Sequence, residues 1–413
     1  MQFKNNRIEA IAKHLSVAQN EVFIVSYART PLGSLCGAFS TVDASKLGAA
    51  AISGSLENLN NKLDKGDIDE VILGHVLQGG CGQAPARQAA LAAGIPFHVP
   101  CHSVNKVCAS GMKAITNAAM SILIGYNSIC VAGGMESMTR APHMISTMRS
   151  GRKMGHDQLI DGLIHDGLWD VYSNQHMGCC AEKIARDFSI TRQDVDAYSA
   201  ESARRALEAS GNGLFASEIV SVTIGEGPKS TVVKVDEHLS KLNPSKLVSL
   251  KPSFESGGVV TAGNASPISD GAAALVLMSK EALMMRNITP IAKILAWSDG
   301  EREPVDFGIA PSISIQRALA IAKLSVADID LWEINEAFAA IVLANMKLLG
   351  DIPPERVNSL GGAVSLGHPL GCSGARIVCT LLTALRHKGL RTGCAAICNG
   401  GGGSTAIIVR LVE

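Results

Sequence analysis

Charge of one sign is what this sequence lacks most plainly: 37 basic side chains meet 37 acidic ones. With no positive excess there is no electrostatic footprint for nucleic acid. No run of about 18 or more apolar residues occurs, so no membrane-spanning helix is expected. No Cys-x-x-Cys pair occurs, and no cysteine stands at zinc-finger spacing from histidine, which argues against structural zinc. Phosphate loops are missing too, because no Gly-Lys-Ser/Thr follows a glycine run and no G-x-G-x-x-G opens a helix. Aromatics are only 4% of the chain and charged residues 18%.

What is present is apolar and rich in small residues. Hydrophobic residues reach 47%, and the 41 glycines follow no three-residue period, so disorder and collagen are both excluded. Eleven cysteines, an odd number without a signal-peptide core, predict free thiols in a reducing compartment. Most should be small buried hydrophobes.

Short apolar runs at 21–26, 69–73, 128–132, 291–296, 331–334 and 394–398 read as strands. Alanine-rich stretches at 42–55, 84–93, 110–126 and 314–322 read as helices between them. This alternation predicts an α/β fold with a mainly parallel sheet covered by helices. The pattern also recurs. Asp67-Ile68-Asp69 and Asp328-Ile329-Asp330 each open a strand. Ser110-Gly111 and Ser373-Gly374 each start an apolar helix, and Gly133-Gly134 and Gly400-Gly401 each follow a strand. Three landmarks in the same order predict an internal duplication. The expected units are a segment 1–20, an N-terminal half 21–139, a loop domain 140–289 that also closes the first half, and a C-terminal half 290–413. The loop domain is expected to be helical over 180–209 and to carry binding.

Four places carry chemistry. Cys108, in Asn105-Lys106-Val107-Cys108-Ala109-Ser110-Gly111, precedes good helix formers. This predicts a thiol in the first helical turn, where the macrodipole favours thiolate. His368 lies among five glycines in Gly361-Gly362-Ala363-Val364-Ser365-Leu366-Gly367-His368-Pro369-Leu370-Gly371-Cys372-Ser373-Gly374. Such backbone freedom suits an imidazole that must be positioned as a base. Cys398 runs into Asn399-Gly400-Gly401-Gly402-Gly403, whose N–H groups could hold an oxyanion. Asn335 ends another second-half strand. Two thiols, an imidazole and an amide suit acyl transfer through a thioester.

The segments N-K-V-C-A-S-G-M-K-A, W-E-I-N-E-A-F-A, G-G-A-V-S-L-G-H-P-L-G-C-S-G-A-R and C-N-G-G-G-G together resemble the thiolase family, over nearly the whole chain from residue 21. G-G-M-E-S-M-T at 133–139 and D-G-L-W-D-V-Y-S-N-Q-H-M-G at 166–178 are most similar to its short-chain acetoacetyl-CoA branch. The resemblance implies two βαβαβαββ halves in a five-layer αβαβα core with an inserted loop domain. It implies reversible condensation of two acetyl-CoA to acetoacetyl-CoA and coenzyme A, with no covalent cofactor. Cys108 would carry the acetyl group and His368 would activate it. Cys398 would move the methyl proton. His368 with Asn335 would form one oxyanion hole, and the N–H groups of Cys108 and Gly400 the other.

The same resemblance matches coenzyme A to His176, Met177, Tyr198, Lys241, Leu242, Asn243, Lys246 and Ser266. Potassium, a feature of the mitochondrial-type branch, would match Tyr198, Ala262, Gly263, Ala265 and Val364. Phe307-Gly308 stands where that branch has Phe-Pro, which bears on branched substrates. A homo-oligomer, usually a tetramer, is implied. The broad-range 3-ketoacyl-CoA thiolases of β-oxidation are the alternative within the family. The decarboxylating ketoacyl synthases use one Cys and two His, which Cys398 argues against. Ahead of the family match, Arg7, Ile8, His14 and Leu15 fit an amino-terminal peroxisomal signal, while the basic, acid-poor segment also fits a mitochondrial presequence; the cytosol is the third option.

Overall fold

The computed structural model of the chain describes residues 20–412. The segment carrying Arg7 to Leu15 lies outside the described residues.

The N-terminal half is built from β1 (Val22–Arg29), α1 (Ala44–Glu57), β2 (Glu70–Gly74), α2 (Pro85–Ala92), β3 (Cys101–Val104), α3 (Ser110–Leu123) and β4 (Ile129–Ser137). After the loop region, which contains α4 (Met177–Asp187) and α5 (Arg192–Gly211), strand β5 (Ser269–Ser279) returns to complete that half. The C-terminal half follows as β6 (Ala292–Glu301), α6 (Pro311–Ala322), β7 (Leu331–Ile334), α7 (Ala339–Leu348), α8 (Leu370–Lys388), β8 (Thr392–Asn399) and β9 (Gly403–Leu411).

The strands run β7-β8-β9-β6-β1-β5-β4-β2-β3, with the halves joined where β1 meets β6 at Phe23 to Lys293. The two halves repeat one order. In the second half the place of β3 is reduced to a single parallel bridge between Trp332 and Val357. Each half turns alternate strand residues to opposite faces. Val71 and Leu73 pack outward with α1 and α2, while Ile72 faces the centre. Trp332 and Ile334 pack outward with α6 and α7, while Leu331 faces the centre with α3 and α8. The result is five layers, αβαβα, with α3 and α8 as the shared middle.

The sheet is not mainly parallel. Among the described residues only the strand pairs β2 with β3, β2 with β4, and β7 with β8 run parallel; the remaining strand pairs in it are antiparallel. The reason is connection length. A helical crossover returns the chain parallel, but the short Gly400–Gly402 link between β8 and β9 permits only a hairpin. Gly401 and Gly402 take positive φ there, at 85° and 92°.

The duplication shows in side-chain roles. Asp69 accepts the N–H groups of Ser128 and Ile129, and Asp330 those of Arg391 and Thr392. Each carboxylate ties the start of one strand to its parallel neighbour. Ser110-Gly111 and Ser373-Gly374 mark the crossing of α3 and α8, where a Cβ on Gly111 would stand 2.7 Å from the Gly371 carbonyl oxygen. The third landmark is not equivalent. Gly133-Gly134 lies inside β4, whereas Gly400-Gly401 lies beyond the end of β8. The helical loop region is likewise two helices. Thr191 opens α5 through a capping box with Asp194, after Ser189 turns the chain with φ 50°.

Candidate active site

Cys108, His368 and Gly400, at strand ends and in the loops beside them, line one crevice as open α/β sheets arrange it, with Cys398 packed behind its Phe307 and Phe338 wall. Cys108 lies between β3 and α3, one residue ahead of the cap Ala109. It is therefore outside the first helical turn, which corrects the sequence expectation. The approach is built from local bonds. Asn105 Oδ1 accepts the Val107 N–H at 2.9 Å, and Ser110 Oγ accepts the Lys106 N–H at 2.8 Å. Lys106 then crosses to the second half, donating to Asp299 at 2.7 Å and to the Ser404 carbonyl at 2.9 Å. Val107 is held at φ 47°, a costly place for a β-branched side chain. The next residue, Cys108, lines the cavity.

Burial pushes the Cys108 thiol up to about 12, although the N–H groups of Gly400 and of Cys108 itself pull the other way. At rest the sulfur is a thiol, not the thiolate expected from the helix dipole: desolvation outweighs the two N–H groups.

His368 precedes α8, after Gly367 at φ 122°. A Cβ on Gly367 would lie 2.3 Å from Ser269 Oγ, so the turn needs glycine. His368 Nδ1 stands 2.6 Å from Ser373 Oγ, which itself donates to the Pro369 carbonyl at 2.8 Å. With its one proton committed, Ser373 can only accept, so Nδ1 carries the imidazole proton. Nε2 is then a bare acceptor, buried and without a protein partner among the described residues. Burial, with Arg376 nearby, lowers the imidazole to about 3, so it is neutral at physiological pH.

Cys398, near the end of β8, is 1% exposed and packs in the apolar cluster of Phe307 and Phe338. Burial raises its thiol, and Cys108 adds to the rise, which places the two sulfurs within electrostatic reach. Asn335 is buried just after β7, and both amide atoms lack partners among the described residues. A buried amide in that condition wants a water or a ligand oxygen.

Cys108, His368 and Gly400 line one cavity of about 210 Å³. Its walls include Met138, Leu168, His176, Met177, Phe254, Ile268, Phe307 and Phe338, with Ser266 at the rim. His176 caps α4, accepts the Gly178 N–H and stacks on Phe254 with centroids 4.7 Å apart. Of the other positions matched to coenzyme A, Lys241, Leu242, Asn243 and Lys246 line a second cavity with Ala262, Gly263 and Val364. Tyr198 lines neither: its hydroxyl donates to the buried Glu336 at 2.8 Å. Of the five positions matched to potassium, Ala262, Gly263 and Val364 line the second cavity and Ala265 the first, while the Tyr198 hydroxyl and the Val364 N–H share the Glu336 carboxylate. Phe254 escaped the sequence reading because a single apolar side chain in a loop carries no periodic signal, whereas Met138 and Leu168 stood inside motifs read for the family alone. Ser373 stood inside a quoted motif, but its bond to His368 depends on the helical turn.

Residues 22–281 match the family described as Thiolase, N-terminal domain, and residues 288–411 match Thiolase, C-terminal domain. Acetyl-CoA acetyltransferase 2 of Arabidopsis thaliana is 51% identical over 400 residues, covering 96% of this chain and 98% of that one. The mitochondrial acetyl-CoA acetyltransferase of Mus musculus is 48% identical, covering 94% and 91%. The crystal structure of the Bacillus anthracis acetyl-CoA acetyltransferase superposes with a TM-score of 0.92 at 38% identity, covering 95% of this chain and 99% of that one.

Proposed function

This chain belongs to the thiolase family, and from that premise we propose that it is an acetyl-CoA C-acetyltransferase, condensing two acetyl-CoA to acetoacetyl-CoA and coenzyme A and catalysing the reverse. It is an acyltransferase acting on coenzyme A thioesters, with no covalent cofactor. One observation carries the mechanism: the Cys108 sulfur meets the Gly400 N–H in an apolar cavity that also holds the bare Nε2 of His368.

Cys108 attacks the thioester carbonyl as His368 Nε2 takes the thiol proton. The two start neutral because burial penalises an ion pair, so proton and acyl transfer are coupled. The N–H groups of Cys108 and Gly400 hold the carbonyl oxygen as it gains charge. Cys398, a neutral thiol at rest, gives its proton to the departing coenzyme A thiolate. It is thereby left as the base that removes a methyl proton from the second acetyl-CoA. The carbanion attacks acetyl-Cys108, and the released Cys108 thiolate recovers its proton from His368. Asn335 and His368 offer donors, through a water, to the enolate oxygen.

The units 21–139, 140–289 and 290–413 act as two halves and a binding region, with coenzyme A reaching from Cys108 past His176, Met177 and Ser266. The reading also includes a tetramer, and an address in residues 1–20. The peroxisomal pattern at 7–15 competes there with the mitochondrial compartment of the mouse relative. The test is acetylation against condensation. Cys108→Ala is expected to abolish acetyl transfer to protein, while Cys398→Ala is still acetylated by acetyl-CoA but does not condense. Normal condensation by Cys398→Ala would overturn the division of labour. Thiolysis of acetoacetyl-CoA and of a longer 3-ketoacyl-CoA, with and without potassium, separates the short-chain reading from the broad-range one.

A further inference from the structure

The mechanism leaves Glu136 unused, although this carboxylate is 0% exposed and lies beside the cavity. It projects from β4 in the Gly133-Gly134-Met135-Glu136-Ser137 segment. Oε2 accepts the Gly371 N–H at 2.8 Å and the Val76 N–H at 3.1 Å. Oε1 accepts the Leu77 N–H at 3.1 Å and lies 3.3 Å from His75 Nε2.

Gly371 belongs to the first turn of α8, whose cap residue is Pro369. Proline offers no side-chain acceptor there, so the free N–H groups at that end must find one elsewhere. Glu136 supplies it from another strand, and its negative charge suits the positive end of the helix. The same helical turn carries Ser373, which fixes the tautomer of His368. Through Val76 and Leu77 the carboxylate also holds the loop after β2, and Leu77 packs with Leu370. One group thus joins three segments around the wall of the site. A Cβ on Gly371 would stand 2.9 Å from Glu136 Oε2 and 2.8 Å from the Met135 carbonyl oxygen, so the seat is closed on all sides.

We propose that Glu136 is a positioning residue for His368, capping α8 so that its first turn presents Ser373 to the imidazole and Nε2 to Cys108. The inference rests on the reading of His368 as the base. Around the carboxylate stand His75 from the loop after β2, Cys81 further along that loop, Asp270 from β5, Cys108 before α3 and Cys372 in the first turn of α8. Burial lowers His75 to about 4, so it is neutral and does not discharge its neighbour. Burial, with Asp270 adding to it, lifts Glu136 to about 7 against the pull of its three N–H donors. A protonated carboxyl must spend one oxygen on its own hydrogen. The cap is therefore complete above that pH and loosens below it, giving activity an acid limb.

The experiment is the kinetics of Glu136→Gln against pH, with His368→Ala alongside. Gln keeps the shape but turns an NH2 toward N–H donors. The expected kcat is about 10- to 100-fold lower, part of the ~10²–10⁴ a positioned acid–base group contributes. KM for coenzyme A stays within about twofold, and the acid limb centred near 7 disappears. A merely structural role would lower the amount of active enzyme, counted by acetyl burst, but leave kcat per active site and the limb unchanged; that outcome overturns the proposal. Should Glu136→Gln give no soluble protein, Glu136→Asp is decisive. It keeps the charge and shortens the reach, so kcat falls with the limb retained, and wild-type kcat overturns the inference. An active His368→Ala would sink the underlying mechanism instead, whereas an inactive one beside a normal Glu136→Gln sinks only the cap.

Discussion

At the residue scale the proposed mechanism works by withheld solvation. Burial leaves Cys108, Cys398 and His368 all uncharged, so the first proton moves only when the acyl carbonyl is there to take the electrons. What readies His368 is a tautomer, set by Ser373. Ser373→Ala removes the acceptor for Nδ1–H, and the proton is then free to sit on Nε2, where it blocks the attack. Steady-state kinetics should show kcat about tenfold lower with KM little changed; an unchanged kcat would mean that packing alone orients the ring. Cys108, His368, Cys398 and Asn335 were legible in the sequence because glycine-rich turns and strand ends flag them. Their protonation was not. The helix dipole argued for a thiolate at Cys108, but the sulfur stands ahead of the helix and desolvation is the larger effect.

At the element scale, the loop region is fastened to the sheet through one buried cation. Arg29 on β1 donates to Glu218 at 2.6 Å and to Asp236 at 2.7 Å and 3.0 Å, and Asp236 also accepts the Leu32 N–H. Glu218 in turn accepts from Thr380 and Thr383 of α8. Arg29→Met would leave two carboxylates buried without their counter-ion, at a cost of about 3–5 kcal/mol. A lower denaturant midpoint is the expected reading, and a change below about 1 kcal/mol would show that threonines and N–H groups suffice. The sequence gives such a triad no voice, since its members come from separate elements. Strand β5 was also unreadable in advance. Its Ser-Asp-Gly-Ala-Ala-Ala opening has neither alternation nor β-branching, and it is a strand because β1 and β4 flank it.

At the scale of the molecule, the two halves meet with backbone against backbone. A Cβ on Gly134 would fall 1.9 Å from the Gly371 carbonyl oxygen and one on Gly374 2.5 Å from the Met112 nitrogen. Gly134→Ala must push α8 away from β4, and with it the turn that carries His368. We expect it to abolish folded, soluble protein. Gly211→Ala, at the end of α5 with open space around it, should be neutral or slightly stabilising, by up to about 1 kcal/mol. Soluble yield and Tm of the pair check this; equal behaviour would mean the layers are looser than they look.

The sequence by itself determined the duplicated plan, many of the strand and helix positions within a few residues, and the motifs that carry the thiolase resemblance. Those features are local: periodicity, glycine-bearing turns and a nucleophile at a strand end are written in neighbouring residues. Only the tertiary structure decided which strands run antiparallel, which glycine pair is equivalent between the halves, and that Glu136 caps a helix hundreds of residues away. It also decided that Cys108, Cys398 and His368 rest uncharged. Each of these depends on what the fold removes from water and what it brings within about 3 Å, and desolvation and hydrogen bonding act through space, without regard to order along the chain.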